Sequence, residues 1–465
     1  MTPVEPSEPE RGSPSACPVT GGRTPLYGPG FAADPSSVYA SLRQYGPIAP
    51  VELAPQVPAW LVTGYSTALE ILRDPETFHK DSRAWMAAAP PGTPLPGMMT
   101  YRPNCLYSGG AEHVRLRGTV TDSLNRVDPN VLREHVERHA DELIDAFASR
   151  GSADLLDEYA KVLPLLVFKV LFGCPPELGD RMVLTMSKIF DGIDTEQTNA
   201  DIVNCMLELI ALKRSEPQAD ITSWLLAHTA ELNDEEMIHQ LVVLMGAGVE
   251  PTQNWIANGL RLLLSDDRFA GELSGGAVPV DDALVEVLWS DPPMSNFAIT
   301  YPVEPVEKAG VRLRPEVPVV ISLAAANADP ALASHQRTGN RAHLAWSAGP
   351  HLCPAQAQAR LIASVAIEKL LDRLPDIELA VADHELTWRP GPFHRALTAL
   401  PVRFPPVSVG VAAAGTNPPV SGFAAPTLSR LPAATSEYVP SQVEQTEQPP
   451  RRGRWSFLTR WWRGT

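Results

Sequence analysis

The sequence is poor in cysteine and has no pattern that would pair its thiols. No two cysteines form a Cys-x-x-Cys motif, and their number is odd. They are Cys17, Cys105, Cys174, Cys205 and Cys353. Such a set does not make a disulfide framework. It favours a reducing compartment, so we expect a cytoplasmic protein.

Long apolar runs and an excess of positive charge are also absent. The most apolar segment, 162–173, contains Lys169 and is too short to span a bilayer. The first residues lack the charged-then-apolar order of a secretory signal. Lys and Arg number 38 against 54 Asp and Glu, a formal net charge of −16. That charge argues against nucleic acid as a partner, because phosphates would be repelled.

Apolar residues make up 44% of the 465 positions, which is enough for one large core. We predict four parts along the chain: a disordered N-terminal segment (1–24), a folded domain (25–405), a flexible linker rich in Pro and Ala (406–450) and a basic aromatic tail (451–465). The linker shows no apolar periodicity, so no packed structure is expected there.

The periodicity of the folded domain predicts a mainly α protein with small β-sheets. Helical patterns dominate 113–266, and a long buried helix begins near Asn233 or Asp234, either of which can cap it. Shorter expected elements are strands at 50–55 and 59–64, strand-rich residues at 297–326 and a terminal hairpin at 385–404.

The segment HLAWSAGPHLCPAQAQAR (343–360) places a single cysteine, Cys353, between a glycine-containing turn and a helix. A helix N-terminus offers unpaired N–H groups and the positive end of a dipole. Both stabilise a thiolate, which is the form of cysteine that binds metals. The alternative is a buried structural cysteine, the usual role of a lone thiol.

This segment resembles the haem loop of the cytochrome P450 family, Phe-Gly-x-Gly-x-His-x-Cys-x-Gly. The resemblance puts Gly349, His351 and Cys353 on the family's glycine, propionate-binding histidine and proximal thiolate. The departures are Trp346 for Phe, Ser347 for the first Gly and Ala355 for the last Gly.

The resemblance implies the cytochrome P450 fold over 25–405, haem b (iron protoporphyrin IX) as cofactor, and reductive activation of dioxygen. Electrons would come from NAD(P)H through a ferredoxin or flavodoxin and its reductase. Such donors are acidic and would dock where Arg337, Arg341 and Arg360 lie.

The segment LMGAGVEPTQNWI (244–256) resembles the family's oxygen-activation helix, Ala-Gly-x-Glu/Asp-Thr. The resemblance puts Ala247 and Gly248 over the haem and Glu250 on the family's acid. Pro251 takes the alcohol position, and Thr252 follows it. Proline frees the carbonyl four residues back, which could organise the water that the missing threonine would have held. The alternative is a packing kink.

Two further motifs concern the haem propionates, which need cationic or donor partners when buried. In AEHVRLRG, His113 and Arg117 are four residues apart and share a helix face. With His351 they would clamp the propionates. The arginine that the family often supplies from a later strand is missing, and Thr300 or Tyr301 lies near that place.

The largest departure affects the family's Glu-x-x-Arg pair. Here Glu286 is followed by Trp289, a feature shared with a minority of bacterial P450s. A buried carboxylate without a cation is costly. We therefore expect Arg337, in preference to Arg341, to reach Glu286 while Trp289 fills the vacated volume.

The tail RRGRWSFLTRWWRGT has its apolar residues on one arc of a helical wheel: Trp455, Phe457, Leu458, Trp461 and Trp462. This pattern is typical of an interfacial helix attracted to anionic lipid, which would make the protein peripheral to the inner face of the membrane. A disordered tail and a helix that docks on a partner protein remain open.

The leading prediction is a monooxygenase that inserts one oxygen atom from dioxygen into a small or medium apolar organic substrate. Cys353 would be the axial ligand, while Glu250, Pro251 and Thr252 would manage protons and oxygen. The competing prediction is a low-turnover haem-binding sensor or assembly partner in a membrane-associated signalling system. The basic aromatic tail favours it, since a freely diffusing enzyme does not need one.

Overall fold

The computed structural model describes residues 22–93, 95–190, 195–266, 269, 278–332 and 340–408. The predictions for the N-terminal segment, the linker and the aromatic tail therefore lie almost entirely outside the described residues, and so does the one for Arg337.

The described part of the chain is mainly helical, and its longer helices pack against one another. The helices are α1 (Pro29–Ala33), α2 (Pro35–Leu42), α3 (Tyr65–Leu72), α4 (Arg83–Ala88), α5 (Gly110–Leu124), α6 (Pro129–Phe147), α7 (Val162–Leu171), α8 (Pro176–Phe190), α9 (Thr195–Ser215), α10 (Ile221–Leu226), α11 (Asp234–Ser265), α12 (Val278–Ser290), α13 (Leu323–Asn327) and α14 (Gln356–Arg373). Among the described residues, no helix has both the length and the apolarity needed to cross a bilayer.

The strands are short and form three sheets. They are β1 (Thr24–Pro25), β2 (Ile48–Ala54), β3 (Val57–Val62), β4 (Phe78–His79), β5 (Ser152–Asp154), β6 (Ala298–Pro302), β7 (Val306–Lys308), β8 (Val311–Leu313), β9 (Val319–Ile321), β10 (Glu378–Leu379) and β11 (Pro401–Arg403). The largest sheet has the order β1-β2-β3-β9-β6-β4, and the others are β10-β11-β5 and β7-β8. The prediction of a mainly α fold with small sheets is confirmed.

Helix α11 is the axis of the fold, and its start follows from local chemistry. The Asn233 side chain accepts a hydrogen bond from the backbone N–H of Glu236, whose carboxylate accepts one from the N–H of Asn233. This capping box satisfies donors that the first helical turn leaves unpaired. The predicted cap is confirmed, and α11 then packs on α7, α12 and α14 in the main core.

Two predicted strand regions take another form. Residues Leu323–Asn327 are helical, because the Ser322 side chain accepts a hydrogen bond from the N–H of Ala325 and so caps a helical turn. The hairpin at 385–404 is present in shortened form: Trp388 and Leu397 form an antiparallel bridge, and the N–H groups of Arg389 and Thr398 donate to the carbonyls of Ala396 and Thr387. Its last residues, β11, pair instead with β10 and β5.

Candidate active site

In the cysteine loop (343–355), the Cys353 thiol is partly buried and receives a hydrogen bond from the backbone. Its own N–H donates to the Trp346 carbonyl at 2.9 Å, which closes the loop. Burial raises the pKa of the thiol, while the N–H of Ala355 donates to the sulfur and lowers it. Helix α14 begins only at Gln356, so Pro354 lies in the turn that precedes the helix.

Position 349 requires glycine because of its backbone conformation and a close neighbour. Gly349 has φ +67°, and a Cβ there would come 2.1 Å from the carbonyl oxygen of Leu72 in α3. Ala355, where the family has its last glycine, has a φ of −103°, which any residue can adopt. Ser347, in contrast, adopts φ +63°, a left-handed conformation that the family's glycine would tolerate better.

We therefore expect Ser347→Gly to stabilise the protein by about 0.5–1 kcal/mol, because a side chain in the left-handed region costs more than glycine's extra unfolded-state entropy. Urea unfolding measures this change. The matched control is Ser41→Gly, an exposed helical position in α2 that should be destabilised by a similar amount. Equal losses in the two variants would contradict the assignment of strain to Ser347.

Helix α11 passes directly beside the cysteine loop. The rings of Trp255 and Trp346 meet edge to face with centroids 5.3 Å apart, and the indole of Trp255 donates to the Leu284 carbonyl at 3.0 Å. Tryptophan thus replaces the family's phenylalanine while keeping an aromatic contact. Glu250 precedes Trp255 by five residues, about 7.5 Å along the helix axis.

The segment around Pro251 remains helical, and its residues face different surroundings. Ala247 is exposed although α11 runs through the core, so its methyl group borders open space. The Thr252 hydroxyl donates to the Gly248 carbonyl at 2.6 Å. A Cβ at Gly248 would come 2.2 Å from the Phe168 ring, so close packing of α7 on α11 also requires a glycine here, and its place over the haem stays a prediction.

The acid of this segment is held by two residues from the C-terminal part of the domain. The Arg389 guanidinium donates to Oε1 of Glu250, and Nε2 of His394 lies 3.6 Å from Oε2. The Glu250 side chain is only 12% exposed. The sequence analysis named neither partner, because neither lies in a recognisable motif.

The histidines predicted to bind propionates lie side by side. The rings of His113 and His351 are 4.0 Å apart, and Nε2 of His113 is buried without a hydrogen-bond partner among the described residues. Arg117 donates to the Leu352 carbonyl in the same loop and to the Thr121 hydroxyl. The structure therefore brings all three predicted residues to the cysteine loop.

A further basic residue, Lys80, lies beside this group, and the sequence analysis did not name it. It directly follows β4, which pairs with β6, the strand where the family's arginine is missing. Its Nζ donates to the Ile299 carbonyl at 2.8 Å, and burial lowers its pKa to about 8. A small cleft is lined by Lys80, Thr300 and His351. Only the pairing of β4 with β6 reveals this substitute for the arginine.

The arrangement fits a group that carries two carboxylates. Burial lowers the pKa of His351, and the positive charges of Lys80, His113 and Arg117 lower it further. An anion at this place would reverse that unfavourable balance and would pair with the orphaned Nε2 of His113. These four side chains could hold the propionates, with the Cys353 thiol beside them as the iron ligand.

We expect Lys80→Met to release haem about 10-fold faster, because one charge-assisted hydrogen bond contributes about 1.5 kcal/mol. Transfer of haem to apomyoglobin measures the rate. Lys80→Arg should retain most of the wild-type behaviour. Lys308→Met, which removes a surface lysine paired with Glu70, is the control. An unchanged rate in Lys80→Met would show that Lys80 does not reach a propionate.

Trp289, at the position of the family's arginine, is buried and bonded to the loop before the cysteine. Its indole Nε1 donates to the Asn340 carbonyl at 2.8 Å, and its ring meets His343 edge to face at 5.7 Å. Glu286 lies one turn earlier in α12 and is partly buried. Trp289 thus does more than fill volume, since it ties α12 to the cysteine loop.

No family model matches the chain, but comparison with known proteins gives relatives that it covers almost completely. The chain is 34% identical to cytochrome P450 monooxygenase PikC of Streptomyces venezuelae over 391 residues, covering 81% of this chain and 92% of PikC. It is 31% identical to vitamin D(3) 25-hydroxylase of Pseudonocardia autotrophica over 405 residues, covering 82% and 97%.

Solved structures agree with these sequence relatives. The structure of CYP154C4 from Streptomyces superposes with a TM-score of 0.74 at 29% identity, covering 82% of this chain and 98% of that one. Myxobacterial CYP267B1 in complex with myristic acid gives 0.71 at 27% identity, covering 82% and 98%. The relatives are named as monooxygenases or hydroxylases, which gives no support to the sensor alternative.

The cysteine loop, the helix beside it and the similarity over most of both chains lead to one conclusion. The predicted family, fold, cofactor and enzyme class are confirmed: this chain belongs to the cytochrome P450 family and is a haem-dependent monooxygenase.

Proposed function

We propose that Cys353 is the axial ligand and that the substrate is a small or medium apolar organic molecule, bound on the side of the haem that Ala247 borders. The observation that carries this proposal is the Cys353 thiol, which receives a backbone hydrogen bond beside α11. The exposed methyl of Ala247 supports it, because it leaves room for a substrate.

The experiment has two stages. The reduced carbon monoxide difference spectrum of the purified protein should show the red-shifted band of thiolate ligation. A substrate panel then follows from the names of relatives, which include 6-deoxyerythronolide B hydroxylase and mycinamicin IV hydroxylase/epoxidase. Product that contains one atom from labelled dioxygen supports the proposal. A thiolate band with no product from any panel member would oppose this substrate class.

Within this proposal, Glu250, Pro251 and Thr252 manage protons and water. The Pro251 ring leaves the Ala247 carbonyl without its helical donor, and the Thr252 hydroxyl is already committed to the Gly248 carbonyl. The Ala247 carbonyl is therefore the acceptor available to an ordered water where other members carry an alcohol.

Pro354 offers a further effect on the iron, since proline has no N–H to donate to the Cys353 sulfur. The sulfur keeps the donor from Ala355. We expect Pro354→Leu to raise the reduction potential by about 40 mV, the equivalent of ~1 kcal/mol from one added hydrogen bond in a one-electron couple. Redox titration measures it, and an unchanged potential would contradict the role of the proline.

We propose a ferredoxin or flavodoxin, reduced by an NAD(P)H reductase, as electron donor. Burial lowers the pKa of Arg360, and the positive charge of Arg341 lowers it further, so two cations lie close together near the start of α14. An acidic donor would relieve that repulsion. Reduction by either donor should slow in Arg341→Glu, whereas an unchanged rate would place the docking surface elsewhere.

We also propose that the P450 domain (25–405) is cytoplasmic and that residues 451–465, joined by the linker 406–450, bind anionic lipid at the inner face of the membrane. The basic and aromatic composition of the tail supports this. In liposome flotation, the full chain should float with anionic vesicles and a chain ending at Pro450 should not. Equal behaviour of the two chains would refute the tether.

A further inference from the structure

The Glu250 carboxylate has a pair of partners that the oxygen-activation motif does not contain. Arg389 donates to one oxygen, and Nε2 of His394 lies 3.6 Å from the other. Both come from the segment 385–404, more than a hundred residues later in the chain. At 12% exposure, the side chains of His394 and Glu250 are equally shielded from solvent.

The segment that carries these partners is held firmly in place. The N–H of Arg389 donates to the Ala396 carbonyl at 2.8 Å, and His394 forms an antiparallel bridge with Met294. The guanidinium of Arg395 stacks on the Trp388 ring at 3.4 Å. Because the backbone is fixed on both sides, the positions of the two partners beside Glu250 are built into the fold.

His394 also borders a cleft. The cleft is lined by residues of α1, α2, the loop before β6 and the 385–404 segment, among them Tyr39, Ser295, Arg389, Gly391 and Arg395. The other charged groups there already have partners, since Arg389 is paired with Glu250 and Arg395 with Asp291 at 3.0 Å. The Tyr39 hydroxyl donates to Asn296. The imidazole is therefore the group of this cleft that can exchange protons with Glu250.

Electrostatics favour a neutral imidazole at this position. Burial lowers the pKa of His394, the negative charge of Glu250 raises it and the positive charge of Arg389 lowers it. A neutral imidazole accepts a proton at one ring nitrogen and releases one from the other. A small rotation or one bridging water closes the 3.6 Å gap to the carboxylate.

We propose that His394 relays protons from the cleft to Glu250 and that Arg389 positions the carboxylate to receive them. Both act through Glu250, so this inference rests on the proton-handling role proposed for that acid. An acid of the solvent protonates Nδ1 of His394, and the proton on Nε2 passes to Oε2 of Glu250. Each turnover consumes two electrons, which NAD(P)H supplies, and two protons, one of which balances the oxidation of NAD(P)H and one of which is taken from the solvent, as one oxygen atom leaves as water.

The first test needs no turnover. Histidine-labelled holoprotein, reduced and bound to carbon monoxide, is titrated by NMR. The pKa of His394 should fall in Glu250→Gln and rise in Arg389→Gln, because each change removes one of its two charged neighbours. His384, exposed and just before this segment, is the internal control and should not respond. If the pKa of His394 were the same in both variants as in the wild type, the inference would be overturned.

The second test separates a relay from a structural contact. His394→Gln should lower product formed per NADPH about 10-fold at neutral pH, with KM unchanged and partial recovery at lower pH, where bulk acid supplies protons. Arg389→Lys should retain more product yield than Arg389→Gln. His384→Gln should match wild type. A lower melting temperature with an unaltered pH profile would assign His394 a structural role and overturn the relay.

The two proposals fail in different ways. If the wild-type protein lacks a thiolate band and product, the proposed function fails, while the NMR titration still reports whether His394 and Glu250 are coupled. If the wild-type protein forms product and His394→Gln has the same product yield per NADPH and the same pH profile, only the relay fails.

Discussion

Replacing Cys353 with alanine should abolish the red-shifted carbon monoxide band and reduce product formation to background. The thiolate is the sole sulfur ligand that the cysteine loop offers, and its electron donation favours cleavage of the O–O bond. Its sulfur already receives the Ala355 N–H, a bond that stabilises the charged form. No neighbouring side chain of the loop replaces that donation.

The measurement is the reduced difference spectrum, followed by product analysis with labelled dioxygen. Cys205→Ala removes a buried cysteine of α9 and is the matched control, which should keep the band. Cys353→Ser should retain porphyrin with a displaced band, since oxygen replaces sulfur. A Cys353→Ala protein with the wild-type spectrum would remove the basis of the assigned chemistry.

Replacing Trp289 should have the second-largest effect, on stability. Trp289→Ala should lower the free energy of unfolding by about 3–5 kcal/mol, because a buried aromatic ring is lost together with its contact to His343. Trp289→Phe keeps most of the ring and loses mainly the hydrogen bond to the Asn340 carbonyl. That variant should lose about 1 kcal/mol.

Urea unfolding of the haem-loaded protein measures both variants, and haem transfer measures their effect on the cysteine loop. Trp224→Phe, at a half-buried tryptophan stacked with Arg126, is the control and should leave haem retention unchanged. If Trp289→Phe were as stable as wild type, the indole N–H would contribute nothing to the junction between α12 and the loop.

The parts of the fold that the sequence predicted are those encoded over a few neighbouring residues. The start of α11 followed from Asn233 and Glu236, which bond across a single helical turn. The strands at β2 and β3 followed from alternation and a tight turn. The hairpin at 385–404 is shorter than predicted because His394 pairs with Met294 and β11 pairs with β10.

The sequence around Gly248 does not distinguish between two reasons for a glycine in α11. A missing side chain in α11 is consistent with clearance over a cofactor or with close helix packing, and the sequence looks the same in both cases. In the structure the Phe168 ring occupies the place of the Cβ, which accounts for the glycine by packing and leaves its place over the haem a prediction. The neighbouring Ala247 carries the exposure expected of a residue over open space.

The sequence alone determined the family, the thiolate loop and the acid of α11, because each is written in contiguous residues whose spacing is set by local backbone geometry. Only the tertiary structure decided which cations meet which anions. Lys80 comes beside His351 through the pairing of β4 with β6, and Arg389 and His394 reach Glu250 across the fold. Charges interact through space, so their partners depend on how the chain packs and not on their order along it.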